Sequence, residues 1–281
     1  MGELIHIGSV MREQTKKTVS LTSSSLDRTC PICGKQVQPV EVELPWKTMM
    51  VPGRCECEKE EARKQEELEE RRQKRIRIER LFNISMLGPR FAECTFDNWK
   101  YRPGSEKVYE ACVDYVKNWH TRRKTGEGLI MYGNPGNGKS HLGAAITNSL
   151  LARENTVIFA NVPNLLLRIQ ATFDSKKETQ SEIMNALQLA DLLILDDAGA
   201  EKWSSWVETT LYSIINSRYI ARLPVIITSN LGISELKDAV GYRTFDRLIE
   251  TCPIIENTAS SYRVEIASQR AKKIKKTTKG A

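Results

Sequence analysis

Between residues 90 and 263, short apolar runs alternate with stretches of helical period. Leu129-Ile130-Met131-Tyr132, Thr156 to Ala160, Leu192 to Leu195 and Pro224 to Thr228 each have the length of a buried strand. Leu142, Ala145, Ile146 and Leu150 recur at helical spacing, and Leu165 to Phe173 reads as a further helix followed by a polar loop from Asp174 to Thr179. Ser205-x-x-Glu208 has the form of a capping box and predicts a helix running to about Leu223. Strands that are apolar throughout, separated by helices, imply a parallel sheet covered on both faces: an α/β domain.

The rest of the chain has a different pattern. Residues 58–82 are densely charged, lack Gly and Pro, and hold the favourable i,i+4 pairs Glu60/Lys64, Glu67/Arg71 and Glu70/Lys74. Acids dominate the first half and bases the second, which suits the helix dipole. Apolar positions are too sparse for a coiled-coil seam, so the segment reads as a solvated connecting helix or a binding arm. Gly88-Pro89 marks the entry to the next domain. Five segments follow: a loose N-terminal stretch (1–29), a cysteine-bearing module (30–57), the charged helix and linker (58–89), the α/β domain (90–263) and a basic tail (264–281).

The chain has 281 residues and a net charge of +7, and the tail alone carries a surplus of five. The body is therefore nearly neutral. The tail either touches nucleic acid or an acidic partner, or is a solvated, disordered end. No apolar run is long enough to span a bilayer, and the first residues lack the basic flank and apolar core of a signal peptide. These features point to a cytoplasmic protein with no membrane association.

Gly133-Asn134-Pro135-Gly136-Asn137-Gly138-Lys139-Ser140 satisfies G-x-x-x-x-G-K-[ST] between a strand and a helix, the order a phosphate-binding loop needs. Its backbone N–H groups and the helix N-terminus face phosphate oxygens, Lys139 reaches the β- and γ-phosphates, and Ser140 offers a hydroxyl to Mg²⁺. His141 follows directly. The strand Leu192 to Leu195 ends in Asp196-Asp197: Asp196 is suited to hold Mg²⁺ and Asp197 to orient or activate the attacking water. Asn230, at the end of another strand, lies on the edge where ligands sit in parallel sheets.

Cys30-Pro31-Ile32-Cys33-Gly34 and Cys55-Glu56-Cys57 offer four thiols, two pairs separated by 21 residues. Four thiolates suit tetrahedral Zn²⁺ in a zinc-ribbon-like module; the alternative is a set of reduced, unliganded thiols. So short a segment cannot build much of a core, and metal would then provide its fold. His6 is the one imidazole near the cluster in sequence. Cys94, Cys112 and Cys252 are isolated and read as buried. Ile32, Val40, Val42, Leu44 and Trp46 form a small apolar set, with Trp46 as candidate anchor for a partner.

These motifs in this order resemble the DnaC/DnaI-type helicase loaders, a branch of the AAA+ ATPases that includes the transposase helper IstB. The resemblance covers about residues 90–263 and rests on Cys94 to Asn98, Gly133 to His141, Leu192 to Glu201, Val225 to Leu231, Gly241 to Leu248 and Ser261-Tyr262-Arg263. It implies that Phe96 to Asn98 lie near the adenine, that Asp196 and Asp197 are Walker B, and that Asn230 is sensor 1. It further implies that Arg247 is an arginine finger reaching a neighbour's ATP, with Arg243 as runner-up, and that Arg263 is sensor 2. Walker B usually ends Asp-Glu; here it ends Asp-Asp, one methylene short, with Glu201 as a possible assistant. Slow hydrolysis that a partner stimulates is the expectation. The implied function is ATP-dependent loading of a DnaB-type replicative helicase onto single-stranded DNA, by subunits that associate on binding ATP. The alternative is an IstB-like ATPase that regulates DNA transposition.

Overall fold

The structure, a computed structural model, describes residues 27–82, 88–173, 179–200 and 204–277. The expected loose stretch up to residue 26, His6, Glu201, Lys279 and most of the loop 174–179 lie outside them. The chain divides into two compact units, 1–72 and 73–281.

In the first unit, β1 (Arg28–Thr29) pairs antiparallel with β2 (Gln36–Val37), and β3 (Val40–Leu44) with β4 (Lys47–Val51). Between β1 and β2 the chain turns through Gly34 at φ +71°, a left-handed conformation that glycine adopts without strain. The helix α1 (Glu56–Phe82) starts just after Cys55. Glu58 in its first turn accepts the Cys55 N–H at 2.9 Å and two bonds from the Arg28 guanidinium, at 2.6 and 2.7 Å. These donors, Arg28 first, hold the Glu58 carboxyl below the usual range. Among the described residues of this unit, Cys30 and Val37 are the buried apolar side chains, far too few for a self-sufficient core. Of the expected pairs along α1, Glu60 and Lys64 approach to 3.8 Å, whereas Glu67 lies 3.9 Å from Arg63.

The second unit takes the last turns of α1, then α2 (Gly88–Ala92), α3 (Glu106–Lys117), α4 (Trp119–Thr125), β5 (Leu129–Tyr132), α5 (Lys139–Leu151), β6 (Val157–Asn161), α6 (Val162–Ala171), α7 (Gln180–Leu189), β7 (Leu192–Asp196), α8 (Ser205–Ile220), β8 (Val225–Ser229), α9 (Ile233–Val240), α10 (Tyr242–Thr251), β9 (Ile254–Glu256) and α11 (Tyr262–Thr277). The five strands form one parallel sheet in the order β6-β7-β8-β5-β9. Alternate residues serve opposite faces. Ile158, Leu193, Leu195 and Ile227 join a core with α6 to α10, while Val157, Phe159, Leu192, Ile194 and Ile226 join one with α3 to α5. Both faces are covered, which explains why the strands read as apolar throughout.

Several boundaries differ from the sequence expectations. The α6 helix begins at Val162, because Asn161 accepts the Asn164 N–H and Pro163 suits the first turn. The α8 helix is capped by Ser204, whose hydroxyl accepts the Val207 N–H; no Ser205–Glu208 box forms. Residues 262–277 are helical, so most of the expected tail continues the fold as α11.

Lys74 pairs with Asp191 at 2.7 Å instead of with Glu70. Asp191 precedes β7 and also accepts Arg123 at 2.7 Å and the Thr156 N–H and hydroxyl at 2.8 and 2.7 Å. Burial alone raises this carboxyl, but Lys74 and Thr156 outweigh it and hold it below the usual range.

Candidate functional site

The loop 133–138 joins β5 to α5 at the C-terminal edge of the sheet, where β7 and β8 also end. Gly138 has φ +101°, and a Cβ there would stand 2.5 Å from the Trp99 ring; at Gly136, φ +79°, it would stand 2.3 Å from the Ser261 hydroxyl. Both positions therefore require glycine on two counts. A cleft of about 630 Å³ opens over this loop. Pro135 to His141, Asp196, Asp197, Asn230 and Arg263 line it, so the structure brings these sequence-predicted residues together.

Lys139 opens α5 and is almost fully buried. Its ammonium donates to Gly133 O (2.6 Å), Asn134 O (3.0 Å), Asn137 Oδ1 (3.1 Å) and Asn230 Oδ1 (2.9 Å). Burial lowers its pKa to about 8; Asp196 and Asp197 oppose that shift and Arg263 adds to it. Asp196 is raised above the usual carboxylate range by burial, against bonds from Thr228 and Ser140. The Thr228 hydroxyl donates to Asp196 Oδ1 at 2.6 Å and accepts the Asp197 N–H at 3.0 Å. One side chain thus fixes the Asp196 carboxylate and the Asp197 backbone, and Asp197 sits in the left-handed region at φ +62°. Asn230 completes the cluster by donating to Asp197 while it accepts Lys139. Ser140 and Asp196 are adjacent hard oxygen donors, the chemistry Mg²⁺ takes.

The segment expected near the adenine is only partly at the cleft. Asn98 lines it, whereas Phe96 packs edge-on against Tyr109, 5.9 Å away. Asn98 Oδ1 accepts the Thr95 N–H at 3.0 Å, and Thr95 O lies 3.0 Å from His141 Nε2. His141 also packs on Trp99, ring centroids 5.3 Å apart, and burial lowers its pKa. Trp99 and Arg102 line the cleft too, and no motif in the sequence marks them; Tyr262, from the Ser261-Tyr262-Arg263 motif, lines it beside Arg263. Thr228 is missed as well, although its position two residues before Asn230 was a cue.

Arg247 is not brought to this cleft. It lines a separate hollow of about 860 Å³, where its guanidinium donates to Asn216 Oδ1 (2.7 Å), Tyr212 OH (3.1 Å) and Arg243 O (3.0 Å). The rings of Tyr212 and Tyr219 lie 4.9 and 5.7 Å from it. The Arg243 side chain is exposed.

In the first unit, the sulfurs of Cys30, Cys33, Cys55 and Cys57 all lie within 4.8 Å of one another, and those of Cys33 and Cys55 are 3.6 Å apart. Four thiolates bound to one Zn²⁺ stand about 3.8 Å apart, so this donor set fits a tetrahedral ion. The Cys57 thiol is pushed up to about 11, chiefly by its bond to Cys33 and also by Cys55, a crowding that a cation relieves. Cys94, Cys112 and Cys252 are buried elsewhere. Among the described residues, no helix is long and apolar enough to cross a membrane.

Comparison with known proteins agrees with this geometry. The chain is 27% identical over 180 residues to the replicative helicase loader DnaC of Escherichia coli K12, covering 64% of this chain and 72% of that protein. Among solved structures, the DnaC helicase loader superposes with a TM-score of 0.55 at 21% identity, covering 61% of this chain and all of that one. DnaI superposes at 0.53 with 26% identity, covering 60% and 93%. The family model described as IstB-like ATP binding protein matches residues 61–270. With a phosphate-binding loop and two carboxylates at the edge of a parallel sheet, the chain belongs to the IstB-like ATP-binding protein family.

Proposed function

We propose that this protein is an ATPase that loads a ring-shaped, DnaB-type replicative helicase onto single-stranded DNA, with ATP as a conformational switch. The observation that carries the reading is the convergence of Lys139, Ser140, Asp196, Asp197 and Asn230 in one cleft, in a chain similar to DnaC along 64% of its length.

In this reading Gly133 to His141 cradle the phosphates, and Lys139 neutralises the β- and γ-phosphates. Ser140 and Asp196 hold Mg²⁺, which when bound offsets phosphate charge. Asp197 and Asn230 orient the attacking water. As its oxygen bonds the γ-phosphorus, the bond to the β–γ bridging oxygen breaks and ADP leaves with that electron pair. Asp197 accepts the proton. Its short side chain is tied to Asn230, which favours slow turnover until a partner rearranges the cluster. Arg263 contacts the nucleotide in cis, and Arg247 contacts that of a neighbouring subunit once the Tyr212–Asn216 cradle releases it.

The cysteine module holds Zn²⁺ and recognises the helicase. Trp46 supports that role, being 77% exposed on the β3–β4 turn beside exposed Val42 and Met49. The second reading, regulation of a transposase on duplex DNA, draws on the IstB-like family model.

Full-length protein, mixed with a DnaB-type helicase and single-stranded DNA, should form an ATP-dependent complex in size-exclusion chromatography, with ATP turnover rising several-fold. R247A should bind ATP normally and lose that rise. Capture of a transposase instead of a helicase by the tagged protein, or ATP-independent DNA binding alone, would overturn the loader reading.

A further inference from the structure

The motif at Gly133 to Ser140 requires backbone N–H groups turned toward phosphate. Within it, Lys139 holds the carbonyls of Gly133 and Asn134; those of Gly136 and Asn137 are held by donors outside it. Gly136 O accepts the Tyr262 N–H at 2.9 Å, and Asn137 O accepts Arg102 Nη2 at 2.8 Å. In a trans peptide the N–H points opposite to the C=O. Each of these bonds therefore turns the next amide, of Asn137 and Gly138 in turn, away from Arg102 and α11, as a phosphate cradle requires.

Arg102 does more than hold one carbonyl. Its Nη1 donates to Ser260 O at 2.7 Å, two residues before the amide that holds Gly136. Its guanidinium lies between the rings of Trp99 and Tyr262, 5.4 and 5.3 Å from their centroids. Nearly buried, it ties the loop to the segment that leads into α11 and carries Arg263. Asn257 Nδ2 also reaches Asn137 O, at 3.1 Å, but as a neutral and longer donor. The fork shape decides the residue type: a planar guanidinium can serve two carbonyls and stack between two rings at once, and an ammonium cannot.

We propose that Arg102 is a positioning residue for the nucleotide phosphates, a staple that sets the phosphate-binding loop and couples its occupancy to the Asn257–Arg263 segment and α11. The proposal rests on the reading that this cleft holds ATP.

The test uses the full chain and its R102Q and R102K variants, with binding of ADP and of inorganic tripolyphosphate measured by calorimetry in Mg²⁺ buffer. Hydrogen exchange across 133–140 and 257–265 is followed with and without ADP. Wild type should bind ADP, and ADP should slow exchange in both segments. In R102Q both ligands should weaken together, by about tenfold or more, the scale of one charge-assisted hydrogen bond. ADP should then protect the loop but no longer 257–265. R102K should behave like R102Q, since it keeps the charge and lacks the fork, and it stands in if R102Q does not fold. Full affinity in R102K would make Arg102 a simple cation and overturn the staple. Weakened ADP with unchanged tripolyphosphate would assign Arg102 to the base and overturn it also. Failure of wild type to bind ADP would instead remove the nucleotide reading itself.

Discussion

Raising the pH should weaken nucleotide binding through Lys139. In the free protein its ammonium is buried among four acceptor oxygens within 3.1 Å, and burial brings its pKa to about 8. Bound phosphates add negative charge at its tip and hold the proton up to about pH 10 or beyond. Above pH 8 the free protein has released a proton that the complex keeps, so binding takes one up. Affinity should be nearly flat near pH 7 and fall by about fivefold between pH 8 and 9, or about 1 kcal/mol. Calorimetry with Mg·ADP in two buffers of different ionisation enthalpy reads both the constant and the proton uptake, which should near one proton per site at pH 9. K139R starts weaker but should lose the pH dependence, because a guanidinium stays charged throughout this range. The same shift has a sign for stability: the folded-state pKa lies below the unfolded value of about 10.4, so the free chain gains stability as pH climbs from about 8 toward 10.4 and loses it on the way down. An affinity unchanged from pH 7 to 9, with no proton uptake, would refute the argument.

Three further outcomes follow from the same geometry. D191A strands Lys74, Arg123 and the Thr156 N–H; with Arg123 partly exposed and screened, urea denaturation should show a loss of about 2 kcal/mol or more. Because Asp191 is held below the usual range, that contribution should persist at all pH values above about 4 and fade only as acid protonates the folded carboxyl. Thiol modification of purified protein should release one Zn²⁺ per chain, measured with a chromogenic chelator, and C33S should release none while still binding ADP. G138A should weaken ADP binding at least tenfold, and W99A should not rescue it, because added space leaves a Cβ residue at φ +101°.

The parts of this molecule that were legible in its sequence are those whose physics is local. A buried parallel strand must be apolar on both faces, so the first four strands of the sheet show as bare apolar runs. The three-residue β9 is too short for any pattern and exists because β5 offers it a register. Helix starts were harder. Asn161 and Pro163 were available cues for α6, but apolar spacing alone points to Leu165. Ser204 and Ser205 are equal as caps until the backbone is known, and the extended one, Ser204, takes the role. The α3 stripe of Val108, Cys112, Tyr115 and Val116 has helical period without a motif to draw attention to it.

The candidate site divides along the same line. Lys139, Ser140, Asp196, Asp197 and Asn230 could be read because each must be one of very few residue types at a short, fixed distance from the end of a strand. Their supports could not, since a carbonyl accepts a bond from any donor that reaches it. Asn137 O finds Arg102, 35 residues earlier, and Asn257, 120 residues later. Arg247 shows the converse. Its motif marks the residue, but whether the guanidinium is free depends on Tyr212, Asn216 and Tyr219, an i, i+4, i+7 stripe of α8 that looks in sequence like any polar helix face. In this structure the stripe occupies all three nitrogens of Arg247 together with the Arg243 carbonyl. A role for Arg247 in a neighbour's site therefore requires those bonds to be exchanged for bonds to phosphate, with the guanidinium withdrawn from the α8 stripe. On the proposed reading, subunit association is a conformational change as well as a docking event, and ATP binding by one chain and hydrolysis by an assembly should be separable by substitutions on α8.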